Sequence, residues 1–130
     1  MLPKPKRSAG GRFPHSSEAQ IQDAICRYLS IKRIPHSITD ASRCWTRVGK
    51  VGRSRVAPGW PDITACVPVK FKIGENLWNY PWAGLFLAIE VKAKNGQVRK
   101  VQRLRLDELK RAGAIVIVAR SVEDVMRVIP

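Results

Sequence analysis

Apolar positions along the chain change period several times, and each change marks an element. Ile21, Ala24, Ile25, Tyr28 and Leu29 recur at the three- and four-residue spacing of one helical face. Ser17 and Gln20 ahead of them form a capping-box signature, so a helix is predicted from Ser17 to about Ser30. Glu18 stands three residues before Ile21 and seven before Ile25, which projects it toward the same inward face. Residues 31–42 read as a loop and a short extended piece broken by Pro35, and Cys44–Val48 as a strand. Ile63–Val69 and Leu85–Lys92 read as two adjacent antiparallel strands. After an Asn95-Gly96 turn, a helix is predicted from about Gln97 to Ala112, with Lys110 and Arg111 in its last turn and Gly113 as its cap. The β-branched run Ala114–Ala119 has the character of a fully buried strand, and Ser121-x-x-Asp124 caps a short C-terminal helix. The predicted order is α-β-β-β-α-β-α, with no internal repeat.

The segments between these elements carry most of the charge and aromatic residues. Residues 1–16, rich in Pro, Gly and Lys/Arg, read as a flexible basic arm, either solvated or laid along a nucleic-acid backbone; residues 17–130 form a single domain. Gly49–Pro61 is a Gly-rich loop containing Lys50, Arg53 and Arg55. No acidic residue occurs from Ala41 to Pro61, which favours a phosphate-contacting loop over a merely solvated one. Between the two central strands lie Phe71, Trp78, Tyr80 and Trp82, with Gly74 and Pro81 as turn signals. Aromatics so dense in a connection more often cover a core edge or a dimer contact than stack on bases.

Composition narrows the partner. A chain of 130 residues builds about one core, and 45% hydrophobic residues exclude a disordered polymer. Twenty-four Lys+Arg against ten Asp+Glu, a net charge of +14, point to a polyanion, nucleic acid first. A membrane surface is the rival, but the longest apolar runs, Leu85–Ile89 and Ala114–Ala119, fall far short of the roughly 18 residues a span needs. No basic helix with a wide apolar face is visible either. The N-terminus has no apolar signal-peptide core, and Cys26, Cys44 and Cys66 form no CxxC pair. These features predict a cytoplasmic, unsecreted protein with reduced, partly buried cysteines and no disulfide or zinc framework.

Against this basic background, Asp62 in Gly-Trp-Pro-Asp (59–62) and Glu90 and Lys92 in Ile-Glu-Val-Lys (89–92) stand out as charges embedded in apolar strand sequence. Strand alternation puts Glu90 and Lys92 on one face and Ile89 and Val91 on the other. If the two strands pair, Asp62 and Glu90 converge with Lys92 beside them. Two such carboxylates repel unless a cation lies between them, and hard oxygen ligands select Mg²⁺ or Mn²⁺ over zinc. Such an ion polarises a phosphoryl oxygen and lowers the pKa of bound water, and the lysine faces charge growing in the transition state. That set suffices to hydrolyse a phosphodiester. Singly, Glu-x-Lys is commoner as a salt-laced strand edge and Pro-Asp as a turn; together, in this order, they favour chemistry. Gln102 lies on the helical arc of Val98 and Leu109, where Leu or Ile is expected, and is read as steadying Lys92 or the water. Arg105, within the same arc, either snorkels over the core edge or reaches a phosphate.

The series Glu18, Gly-Trp-Pro-Asp62, Ile-Glu90-Val-Lys92 and Gln102 resembles the PD-(D/E)xK nuclease superfamily and, more narrowly, the VRR-NUC (virus-type replication-repair nuclease) domain, over roughly residues 17–120. The resemblance implies an α/β fold with a restriction-endonuclease-like core, a central mixed sheet flanked by helices, and Mg²⁺- or Mn²⁺-dependent cleavage of DNA. By motif match it makes Asp62, Glu90 and the main-chain carbonyl of Val91 metal ligands and Lys92 the catalytic lysine. It adds Glu18 as a further carboxylate, direct or through water, and Gln102 as a supporting residue. Single-domain members imply a homodimeric endonuclease acting on four-way (Holliday) junctions; larger members act on flaps in DNA repair. Two features depart from the pattern: the aromatic connection between Asp62 and Glu90 is longer than a short hairpin, and the basic arm has no counterpart.

The expectation is therefore a metal-dependent, structure-selective DNA endonuclease with no small-molecule substrate. A dimer is expected because one site cuts one strand. Lys50, Arg53 and Arg55, then Lys94, Arg99 and Arg105, with the arm, would hold backbone phosphates. A non-catalytic basic nucleic-acid-binding module, its carboxylates mere surface ion pairs, is one alternative. A restriction-type, sequence-specific endonuclease is the other.

Overall fold

A capping box starts the first helix. Ser17 Oγ accepts from the Gln20 N–H at 3.2 Å while Gln20 Oε1 accepts from the Ser17 N–H at 2.9 Å. In the computed structural model, which describes residues 16–39, 44–45, 51–52, 56–70 and 82–130, helix α1 (Glu18–Ile31) is followed by strands β1 (His36–Ile38), β2 (Cys44–Trp45), β3 (Val51–Gly52), β4 (Ile63–Lys70) and β5 (Trp82–Val91). Helix α2 (Lys100–Arg111), strand β6 (Ile115–Ala119) and helix α3 (Val122–Val128) complete the order. Lys50, Arg53, Arg55, the arm up to residue 15 and the aromatic connection 71–81 lie outside the described residues.

The main sheet is mixed, in the order β1-β4-β5-β6, with β4 antiparallel to both β1 and β5, and β6 parallel to β5. Its two faces follow from strand alternation. Ile63, Ala65 and Val67 of β4 and Leu87, Ile89 and Val91 of β5 form one cluster with Ile21, Ile25 and Leu29 of α1 and Val125 of α3. The opposite face of β5 carries Ala88 and Glu90, and α2 covers it, since its buried residues are Gln102 and Leu106 and Gln102 bonds Glu90. The architecture is thus an α/β sheet flanked by helices, consistent with a restriction-endonuclease-like core. No helix among the described residues is long and apolar enough to cross a membrane.

Several expectations change in detail. The extended piece near Pro35 becomes β1, which joins the sheet through β4. Of the strand expected over Cys44–Val48, Cys44–Trp45 is described as β2, and it pairs with β3, from the segment expected to be loop, in a separate ribbon. The predicted order therefore gains two short strands. Helix α2 begins at Lys100 instead of Gln97, because the cap comes from Gln102, whose Oε1 accepts the Arg99 N–H at 2.9 Å. Its end is as expected: Gly113 (φ 96°) follows the last turn, and its N–H and that of Ala114 reach the carbonyls of Lys110 and Leu109. Helix α1 closes the same way with Arg33 in the left-handed conformation (φ 56°). Strand β6 is only half buried, through Ile117 and Ala119, because it forms a sheet edge. Ser121 makes no side-chain cap; instead Asp124 Oδ2 accepts the Arg120 N–H at 2.9 Å. Cys26 is partly buried as expected but Cys66 is exposed; both are free.

Candidate active site

The register of β4 on β5 ends with Ile63 opposite Ile89, so one further step sets Asp62 opposite Glu90. The Gly59–Asp62 turn is built for that entry. Gly59 adopts φ 75°, and a Cβ there would lie 2.5 Å from the Val101 carbonyl oxygen, so only glycine lets the turn press on the first turn of α2. Thr39, just past β1, pins the other side: its N–H donates to the Asp62 carbonyl at 2.8 Å and its hydroxyl to the Pro61 carbonyl. Asp62 Oδ2 then accepts the Val91 N–H at 2.7 Å, fixing the carboxylate against the end of β5.

Glu90 is 0% exposed. Its Oε1 accepts from Gln102 Nε2 at 2.5 Å and pairs with Lys92 Nζ at 3.0 Å. Its Oε2 is buried and has no hydrogen-bond partner. Lys92 is itself buried, so the lysine and the glutamate leave the strand on one face, as alternation predicts. Glu18 stands more exposed at the start of α1, its Oε1 3.4 Å from the Ala93 N–H. Glu18, Asp62, Glu90, Lys92, Arg99 and Gln102 border a single cleft of about 400 Å³. Among the described residues, no group of three His, Cys, Asp or Glu side chains is placed to hold a metal ion by itself.

Burial pushes the Asp62 carboxyl above its ordinary range; Glu18 adds to this, while the Val91 N–H, Lys92 and Arg99 oppose it. The Glu90 carboxyl is also raised, first by burial and then by Asp62, with Lys92 and its hydrogen bond in opposition. Asp62 thus makes Glu90 harder to ionise and Glu18 adds to both, the condition a cation would relieve.

Of the other residues expected at the site, Arg99 borders the cleft as the N-cap of α2, and Lys94 is exposed in the turn after β5. Arg105 is turned elsewhere, bonding Glu108 at 2.6 Å with its guanidinium 6.0 Å from the centre of the Trp60 ring. Sequence reasoning missed Thr39 and Arg120. The Arg120 guanidinium donates to main-chain carbonyls of the 93–96 turn, and its only advance signal was a basic residue directly after an apolar strand run.

The family model of the VRR-NUC domain matches residues 16–123. A solved structure described as a VRR_NUC domain protein superposes with a TM-score of 0.51 at 19% identity, covering 88% of this chain and 86% of that one, a likeness of fold. No curated protein matches the chain. The sheet, the Asp62–Glu90–Lys92 cleft and the match over most of the length agree, and the chain belongs to the VRR-NUC family, a nuclease domain of the PD-(D/E)xK type.

Proposed function

We propose that this protein is a Mg²⁺- or Mn²⁺-dependent DNA endonuclease that acts as a homodimer on branched DNA, four-way junctions foremost. The observation that carries the reading is the Glu90 carboxylate, removed from water with Oε2 unpartnered, directly across the strand register from Asp62. A buried carboxylate oxygen without a partner is disfavoured, and one lysine does not neutralise two carboxylates.

The donor set fits a hard divalent ion. Mg²⁺ is commonly held by one or two carboxylates, with waters and substrate phosphate oxygens completing the shell, so a third acidic side chain is not required. Asp62 and Glu90 would hold it, with the Val91 carbonyl. That carbonyl leaves β5 on the same side as the Val91 N–H, which is already bonded to Asp62. Glu18, at the cleft mouth, would act directly or through water. When bound, such an ion polarises a phosphoryl oxygen and lowers the pKa of its water.

The protein's own groups do the rest. Gln102 holds Glu90 Oε1, which leaves Oε2 as the oxygen free for the cation. Lys92 Nζ, held 3.0 Å from Glu90 Oε1, is placed to donate to the water or to a phosphate oxygen as negative charge grows there. Arg99 on the cleft wall and Lys94 on the turn would hold flanking phosphates, joined by Lys50, Arg53, Arg55 and the basic arm. Arg105 is engaged by Glu108 and Trp60, so any phosphate contact it makes would be secondary. Contacts of this kind read backbone shape more than base sequence, which suits a branched substrate. Two protomers related by a two-fold axis would cut two strands.

The test compares a four-way junction, a flap and a linear duplex with Mg²⁺, Mn²⁺ or chelator, alongside the mass of the protein in solution. Metal-dependent cleavage that is fastest on the junction, by a dimer, is the expected result. No cleavage with either metal would leave a basic binding module, and cleavage of linear duplex at one sequence would indicate a restriction-type enzyme.

A further inference from the structure

Arg120 stands immediately beyond β6, and extending the parallel register that sets Val91 beside Ala119 brings it level with Lys92. The strands are joined there, since the Lys92 N–H donates to the Ala119 carbonyl at 2.9 Å. The side chain crosses to the exit of β5. Nη1 donates to the carbonyls of Ala93 at 2.7 Å and Gly96 at 2.8 Å, with that of Lys94 at 3.4 Å. Among the described residues its guanidinium has no carboxylate partner; Asp124 takes its main-chain N–H and pairs instead with Arg127.

The turn it grips is the one that must be held still. Ala93 follows Lys92, its carbonyl also accepts the Gly96 N–H at 2.9 Å, and its own N–H faces Glu18 Oε1 at 3.4 Å. A Cβ on Gly96 would lie 3.3 Å from the Ala93 carbonyl oxygen and 3.5 Å from Glu18 Oε1, so the turn is tight against the cleft's outer carboxylate. From the same turn the chain runs on to Arg99 and Gln102. Lys92, Arg99 and Gln102 therefore follow from the path of residues 93–96, which Glu18 meets at Ala93, and one guanidinium nitrogen reaching from beyond the neighbouring strand bonds the carbonyls at both ends of that turn.

We propose that Arg120 is a positioning residue for the cleft, setting Lys92 and Glu18 through the 93–96 turn without touching the substrate. The inference rests on the reading of the cleft as a nuclease site. The bonded carbonyls lie on an exposed turn, so water can take the bonds when the arginine is removed; the fold survives and the geometry loosens.

The test is single-turnover cleavage of a DNA junction with Mn²⁺, DNA affinity with Ca²⁺, and amide exchange of Ala93 and Gly96, each in Arg120→Ala and Arg120→Lys. Arg120→Ala should cleave about tenfold to hundredfold more slowly, the scale of a misplaced catalytic group. Arg120→Lys keeps the charge but ends one bond short of the Nη1 position that meets the Ala93 and Gly96 carbonyls, so it should bind DNA like the parent protein, cleave more slowly than it and exchange both amides faster. Parental cleavage by Arg120→Lys would overturn the proposal in favour of a simple charge effect. So would a rate for Arg120→Ala within about twofold of the parent, well below the loss expected of a displaced group. If Arg120→Ala does not fold, the lysine variant alone decides. Lys92→Ala runs in parallel: should it cleave like the parent, the nuclease reading itself has failed, and that failure is distinct from one confined to Arg120.

Discussion

Gln102 joins two jobs through one amide: Nε2 donates to Glu90 Oε1 at 2.5 Å while Oε1 accepts the Arg99 N–H at 2.9 Å. The first bond orients a buried carboxylate and the second caps α2. An apolar residue of similar size satisfies neither. Gln102→Leu is expected to destabilise the protein by about 2–3 kcal/mol, the sum of a lost cap and a weakened buried acceptor, and to slow cleavage at least about tenfold. Gln102→Glu keeps an acceptor for Arg99 but sets a third carboxylate against Glu90, so it should retain the cap and still lose activity. Denaturant unfolding and cleavage rates read both outcomes, and parental values for Gln102→Leu would refute the double role.

Asp62→Ala and Lys92→Ala remove different parts of the same centre. Each should lower Mg²⁺- or Mn²⁺-dependent nicking by about a hundredfold or more, the scale of losing one electrostatic stabiliser. Neither residue is needed for electrostatic attachment, so binding of the same DNA in Ca²⁺ or chelator should persist in gel-shift titrations. Undiminished nicking in both variants would remove the catalytic assignment.

The longer elements were legible because each buries a continuous stripe. Ile21, Ile25 and Leu29 declare α1 by spacing, and β4 and β5 declare themselves by alternating or continuous apolar runs. Strands β1, β2 and β3 have two or three residues each, too few to show a period, and arise from pairing with distant segments. The start of α2 was misplaced because its cap is tertiary: Gln102 lies between Arg99 and a glutamate on another element. At the site, Asp62, Glu90, Lys92 and Gln102 were visible as polar groups in apolar surroundings. Arg120 was not, since an arginine after a strand is unremarkable in a chain with 24 Lys+Arg, and its reach depends on the parallel pairing of β5 and β6.

Gly59 tests how the turn and the helix are coupled. Ala at this position must hold a left-handed φ and place its Cβ 2.5 Å from the Val101 carbonyl oxygen, a backbone atom that cannot swing aside. Gly59→Ala should therefore cost about 2–4 kcal/mol, combining the left-handed penalty with overpacking. Cleavage should fall as well, because the same shift moves Asp62 relative to Gln102. Thermal unfolding and activity together check it; a stable, fully active variant would show that the turn has slack.

Arg99 borders the cleft, and its charge helps to hold Asp62 ionised. A phosphate contact here predicts that Arg99→Ala weakens binding of every DNA structure similarly and lowers the slope of log affinity against log salt by about one. Binding isotherms at several salt concentrations measure this. An unchanged slope would place the phosphate contacts elsewhere.

The raised carboxyls of Asp62 and Glu90 give the metal-free protein a pH dependence of definite sign. Unfolded, these groups titrate near about 4. Folded, they hold their protons to higher pH, because burial first, then Asp62 acting on Glu90 and Glu18 acting on both, disfavours the charged forms. Below the unfolded values both states are protonated, and the contribution of the pair to stability is fully present. It is lost as pH rises through the folded values, and at neutral pH the folded protein carries the penalty. Asp62→Asn removes one charge of the pair while its side-chain carbonyl can still accept the Val91 N–H. The variant should therefore melt higher than the parent at about pH 8 without metal, and the gap should close as pH falls through the raised folded values, where the parent's carboxyls regain protons. Added Mn²⁺ should raise the parent's melting temperature at high pH and leave the variant nearly unmoved, since an ion that binds only the folded state stabilises in proportion to its affinity. Melting curves across that pH range, with and without Mn²⁺, decide the matter. A gap that widens on acidification would mean that the two carboxylates are not in each other's field.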